Sequence, residues 1–181
     1  MAQLNSSHEI INSCARDLEG LKQNIAQSCA AVLSAKELSI VWGSDSRYWT
    51  TATETAPNSN QSVDVSELIE VCWLQIDGKY SASKLNQGVK YGVYFIVKLK
   101  TNLRLNGKVT LKLTRPDGRT VVTRDDLDKR PKNTWVALKV GEFMTNARTC
   151  HRNVKFSMNG CDGTSWKSGL VVIGAVIVPV C

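Results

Sequence analysis

The spacing of hydrophobic positions changes once along this chain, near residue 35. Between Ile10 and Leu33 the apolar side chains of Ile11, Cys14, Leu18, Leu21, Ile25 and Val32 recur at helical intervals, which collects them on one face of an α-helix. Ser7 is placed to cap that helix, no proline interrupts it, and Gly20 is its weak point, at about 1 kcal/mol relative to alanine. Two burials fit the stripe. One is an amphipathic helix lying on its own domain; the other is a coiled-coil seam, although only about three heptads are present and Ser28 takes an apolar position.

After residue 36 the period falls to two. Val109, Leu111 and Leu113 alternate with Lys108, Thr110 and Lys112; Val154, Phe156 and Met158 alternate with Lys155 and Ser157; Trp135, Ala137 and Lys139 alternate with Val136, Leu138 and Val140. These are strands with one wet face. Asp77-Gly78 predicts a two-residue hairpin between Trp73–Ile76 and Lys79–Ser81, and Pro116-Asp117-Gly118 predicts a turn between Leu113 and Val121. Thr51 to Ser62 and the charged Arg124 to Asn133 read as loops. The longest apolar run, Leu170 to Val180, holds Gly174 and Pro179 and falls well short of the ~20 residues that span a bilayer. It predicts a buried strand and no membrane insertion. Many short strands with turn signals define an all-β sandwich or barrel. The expected organisation is a helical extension over 1–35 and one β domain over 36–181.

Composition agrees with one domain, because 181 residues at 43% hydrophobic suffice for a single full core. No charged n-region with an apolar stretch follows Met1, so a cytoplasmic protein is expected, and the sequons at Asn5 and Asn60 are expected to stay unmodified. In a reducing compartment the six cysteines are expected as free thiols, with Cys72 a small core residue and Cys14, Cys29 and Cys181 more exposed. Charge is lopsided: residues 1–100 hold nine Lys or Arg against ten Asp or Glu, and 101–181 hold fourteen against six. A basic half of this kind attracts nucleic acid, so RNA binding or a structural role is the alternative function. Solubilising the outer faces of strands explains the same charges more simply.

Catalytic chemistry finds no foothold. His8 and His151 lack partners at catalytic or metal spacing, Cys150, His151 and Cys161 do not complete a zinc set, and no phosphate loop or nucleophile elbow is present. Asp125-Asp126 sits in a charged loop rather than a glycosidase cleft. No metal and no cofactor are expected. Binding chemistry is better served: Ser39 to Thr50 runs from a short strand into a polar loop bearing Trp42, Tyr48 and Trp49. Large aromatics beside Asp45, Ser46 and Arg47 suit pyranose rings, whose C–H faces stack on aromatics while their hydroxyls need polar partners. Trp42 is expected to point from its strand into the core. Trp49, among Arg47, Tyr48, Thr50 and Thr51, is expected to be exposed, and Trp73, within an apolar run, to be core.

The order Lys36–Trp42, Arg47–Thr50, Val71–Lys79, Trp135–Phe143 and Trp166-Lys167-Ser168-Gly169 resembles the phloem protein 2 (Nictaba-type) lectins of plants over residues 36–181. The resemblance implies a jelly-roll-like β-sandwich that binds N-acetylglucosamine oligomers, or glycoproteins carrying them, without catalysis. It also implies a homodimer in the phloem sap or sieve-element cytoplasm. Trp42 and Trp49 match the family's two binding tryptophans, with Tyr48 beside them. By that match Trp49 and Tyr48 are the expected stacking platforms, and Trp42 is a third contact or a support. Asp45, Ser46 and Arg47 are the nearest hydrogen-bonding groups, and Trp166 with Lys167 closes the site from the far end of the chain. The family pattern places acidic residues before its W-K-S-G, where this chain offers Asn153, Asn159 and Asp162 instead.

Overall fold

Strands form where the period-two pattern predicts them, and in two places where it does not. The computed structural model describes residues 30–56, 60–105, 107–160 and 165–180, with His8 and Ile11. Among these residues the strands are β1 (Ala31–Ser34), β2 (Ser39–Ile40), β3 (Trp49–Thr55), β4 (Ser62–Leu68), β5 (Leu74–Ser81), β6 (Lys90–Arg104), β7 (Val109–Thr114), β8 (Thr120–Asp125), β9 (Trp135–Met144), β10 (Asn153–Gly160) and β11 (Ser168–Pro179). One sheet runs β3-β4-β11-β6-β9, with β1 also on β11; the other runs β2-β5-β10-β7-β8. The pairings are antiparallel throughout.

The two sheets stack as a sandwich. Leu74 and Ile76 of β5, Leu111 and Leu113 of β7, and Phe156 and Met158 of β10 meet Val93, Phe95 and Val97 of β6 and Leu170, Val172 and Ala175 of β11 in one buried cluster. Alternation sends every second residue of these strands inward. β6 and β11 are different, because they are apolar on both faces. A second cluster covers the other side of their sheet, where Ile96, Val171, Ile173, Val176 and Val178 pack with Val63, Val65, Trp135 and the fully buried Ile11.

Three expectations are corrected. The helix expected over Ile10–Leu33 lies almost entirely outside the described residues: His8 and Ile11 are helical, but 31–34 is strand β1. Its end is strand because β1 pairs along β11, from Ala31 opposite Ile177 to Ser34 opposite Gly174. A Cβ on Gly174 would meet the Leu33 carbonyl oxygen at 2.1 Å, so glycine is what admits the extra strand. Asp77-Gly78 is not a hairpin turn, since β5 passes straight through it. Gly78 lies opposite Phe156, whose ring occupies the space a Cβ would take, 2.3 Å away. Thr51–Ser62 is not a loop but mostly the hairpin of β3 and β4, with Thr55 opposite Ser62; its threonines carry the β-branching that strands favour.

The Pro116-Asp117-Gly118 turn holds, closed by Arg115 N–H to the Arg119 carbonyl at 2.8 Å, and Leu170–Val180 falls largely within the buried β11. Cys72 and Cys150 are half-buried free thiols. Cys14, Cys29, Cys161 and Cys181 lie outside the described residues. No helix among the described residues is long and apolar enough to cross a membrane.

Candidate functional site

Backbone hydrogen bonds gather three connecting segments at one end of the sandwich. β2 pairs with β5, and Val41 N–H donates to the Gln75 carbonyl at 3.0 Å, so the 41–48 turn leaves the sheet beside the start of β5. Ile69 N–H donates to the Tyr48 carbonyl at 2.9 Å and joins that turn to residues 69–73. Val71 and Lys167 exchange both backbone bonds, at 2.9 and 2.8 Å, which adds residues 165–167. Asn159 lies opposite Gln75 near the end of β10, at the same rim.

Each segment presents a tryptophan to solvent. Trp42 is 56% exposed, Trp73 47% and Trp166 49%, whereas large aromatics are mostly buried and exposed apolar clusters mark binding surfaces. Trp42 is also strained, because its φ is +63°. A bulky residue in the left-handed region costs on the order of 1–3 kcal/mol, and such residues concentrate at functional sites. The indole of Trp42 meets the Tyr48 ring edge-on, centroids 5.7 Å apart. The Arg47 guanidinium lies 5.2 Å from the centre of the same Tyr48 ring, and its Nη2 donates to Asp45 Oδ2 at 2.7 Å. That hydrogen bond to Arg47 holds the Asp45 carboxyl down at about 2, so the pair stays charged across the physiological range.

The expected site residues therefore divide. Trp42, Asp45, Ser46, Arg47, Tyr48 and Trp166 stand on two of the rim segments, with Ser46 exposed. Asn159 is half-buried; its Nδ2 donates to Ser157 Oγ at 3.2 Å, and its Oδ1 is buried with no hydrogen-bond partner. Trp49 is corrected. It is 2% exposed, opposite Leu68 at the start of β3 and inside the inter-sheet core, so no sugar ring can lie on it. Trp42, expected in the core, is the exposed member of the pair.

Lys167 is corrected too. It is 2% exposed, and its Nζ donates to the Cys72 carbonyl at 3.0 Å and the Ser165 carbonyl at 3.1 Å. Gly160 leaves it room, since a Cβ there would meet Lys167 Cε at 3.3 Å. Lys167 thus ties the 71–73 and 165–167 segments together from behind rather than lining a site. Asp162, named for the polar half of the site, lies outside the described residues.

Trp73 was expected in the core and is instead at the rim. Leu74 and Ile76 are the inward residues of β5, which sets Trp73, Gln75 and Asp77 on the outer face. A hydrogen-bond row runs along it: Trp73 Nε1 donates to Gln75 Oε1 at 3.0 Å, and Gln75 Nε2 to Asp77 Oδ2 at 2.8 Å. The signal was in the alternation of Leu74-Gln75-Ile76-Asp77, whose parity puts Trp73 with the polar residues. Among the described residues no group of His, Cys, Asp and Glu is arranged to hold a metal.

An all-β sandwich with a rim of exposed tryptophans is what the sequence folds into. The chain belongs to the phloem protein 2 family, whose model matches residues 28–179. It is 36% identical over 151 residues to Protein PHLOEM PROTEIN 2-LIKE A1 of Arabidopsis thaliana, covering 82% of this chain and 61% of that protein. It is 34% identical over 156 residues to a protein of Luffa acutangula named Lectin, covering 85% of this chain and 72% of that one. The chain thus spans less than two thirds of the first relative and somewhat more of the second. Among solved structures it is similar to a Podospora anserina GH26-CBM35 mannanase, at 9% identity and a TM-score of 0.49, over 83% of this chain and 28% of that one.

Proposed function

We propose that this protein is a lectin that binds N-acetylglucosamine oligomers on the rim formed by Trp42, Tyr48, Trp73 and Trp166, and that it performs no chemistry on them. The observation that carries the reading is Trp42, an indole held in solvent at the cost of a left-handed backbone and braced by Tyr48. A ring kept in that position offers a flat apolar face at little further entropy loss, which suits the C–H face of a pyranose. Arg47, Asp45 and Ser46 supply charged and hydroxyl groups within the same turn, where a sugar's hydroxyls need partners. Family membership and the Luffa relative's name support carbohydrate as the ligand class.

Calorimetry with chitotriose on the wild type and on Trp42→Ala tests this. Loss of one stacking platform is expected to weaken binding roughly 2- to 10-fold, with an unchanged circular dichroism spectrum because the ring is exposed. Binding of the neutral sugar is expected to be the same in low and high salt, whereas phosphate-driven RNA binding would weaken steeply. Unchanged affinity in the folded variant overturns the assignment.

A further inference from the structure

The outer face of the five-stranded sheet holds a groove that the rim does not use. Its volume is about 400 Å³, and Lys79, Lys112 and Lys155 line it together with Asp77, Glu37 and Ser157. Pockets of this size hold small ligands or parts of larger ones. The charges in it are arranged against the ordinary rules of a sheet. Lys79 and Lys155 are directly opposite on paired strands, where side chains stand roughly 5 Å apart at Cβ and like charges destabilise. Among the described residues none of the three lysines is within ion-pair distance of a carboxylate. Both acids of the groove are already engaged: Asp77 accepts from Gln75, and Glu37 Oε2 accepts from Ser34 N–H at 2.7 Å and pairs with His8 at 2.5 Å. The two carboxylates offset the three lysines only in part, and neither stands within ion-pair distance of the facing Lys79 and Lys155, so an incoming anion would complete the groove's charge balance.

We infer that this groove is an anion subsite, in which Lys79, Lys112 and Lys155 hold a carboxylate or sulfate carried by a saccharide whose neutral rings rest on the tryptophan rim. The inference builds on the lectin reading above. Continuity favours a single extended ligand, because Gln75, Asp77 and Lys79 share one face of β5, Trp73 just before the strand is hydrogen-bonded to Gln75, and the row leads from the rim into the groove. At the rise of a strand, the six steps from Trp73 to Lys79 span about 20 Å, a length several sugar rings cover. Three amines in a pocket already holding two carboxylates suit one or two anionic groups better than a polyphosphate backbone, which needs a longer stripe of cations.

The test compares chitohexaose, an O-sulfated chitohexaose and a single-stranded oligoribonucleotide by calorimetry, with the wild type and the Lys79→Gln/Lys155→Gln variant. The sulfated sugar is expected to bind the wild type at least 5-fold more tightly than the neutral one at low salt. That preference should vanish in the variant and at high salt, while neutral-sugar binding stays unchanged in both. Equal affinity for the two sugars, or a preference that survives in the variant, overturns the subsite. Lysine-dependent binding of the oligoribonucleotide with no sulfated-sugar preference overturns its assignment to saccharides. If the neutral sugar fails on the wild type but the sulfated one binds through the lysines, the subsite stands and the N-acetylglucosamine reading falls. The variant should melt at or above the wild-type temperature, since it removes a like-charge contact; a lower melting temperature would assign the lysines to the fold and overturn the inference.

Discussion

Trp49 and Trp73 exchange the roles their sequence neighbours suggest, and the difference is measurable. Trp49 fills the inter-sheet core, so Trp49→Ala is expected to cost about 3–5 kcal/mol in urea unfolding, whereas the half-exposed Trp73→Ala should cost under about 1 kcal/mol. The opposite order would mean that the inner and outer faces of β5 are inverted. Trp73 was legible, since the parity of Leu74 and Ile76 fixes it. Trp49 was not. Its neighbours Arg47, Tyr48, Thr50 and Thr51 carry no alternation, and it is buried because the paired β3 and β4 feed both cores, Trp49 and Leu68 joining the inner one while Val63 and Val65 join the outer. Trp42 departs from the strand pattern for a related reason, as its short strand ends at Ile40 and the left-handed backbone that follows turns the ring out.

At the level of elements, the alternating strands β7, β9 and β10 and the apolar β11 follow from the sequence pattern alone. What the pattern could not give are features decided by a distant strand, such as Gly78 under Phe156 or β1 beside Gly174. The same holds for the outer face of the six-stranded sheet. That face is apolar because β6 and β11 are buried on both sides, and Ile11 is the described N-terminal residue packed into it. Ile11→Ala is therefore expected to destabilise the whole β domain by about 2–4 kcal/mol, read as a lower denaturation midpoint with an unchanged slope. A change of less than about 0.5 kcal/mol would show that the sheet's outer cluster does not depend on the N-terminal segment.

Across the whole molecule, the excess positive charge of residues 101–181 is less available than its count suggests. Arg130 pairs with Asp125 at 2.5 Å, Lys139 with Glu142 at 2.6 Å, and Lys129 with Asp126 at 3.4 Å. Lys167 is buried altogether. Among the described residues, Lys112 and Lys155 of this half join Lys79 in the cationic groove of the sheet, and Trp42, Trp73 and Trp166 are exposed at the rim. The sandwich brings the tryptophans to one rim although residues 42, 73 and 166 are far apart in sequence, which is why sequence order named two of them as site residues and assigned the third to the core. The five tryptophans of this chain give the most direct test of the binding rim, because each indole N–H yields its own signal in a nitrogen–proton correlation spectrum. During titration with chitotriose, the signals of Trp42, Trp73 and Trp166 are expected to shift together and saturate, while those of the buried Trp49 and Trp135 stay in place. Shifts confined to Trp49 and Trp135, or no shift at saturating sugar, would contradict binding at this rim.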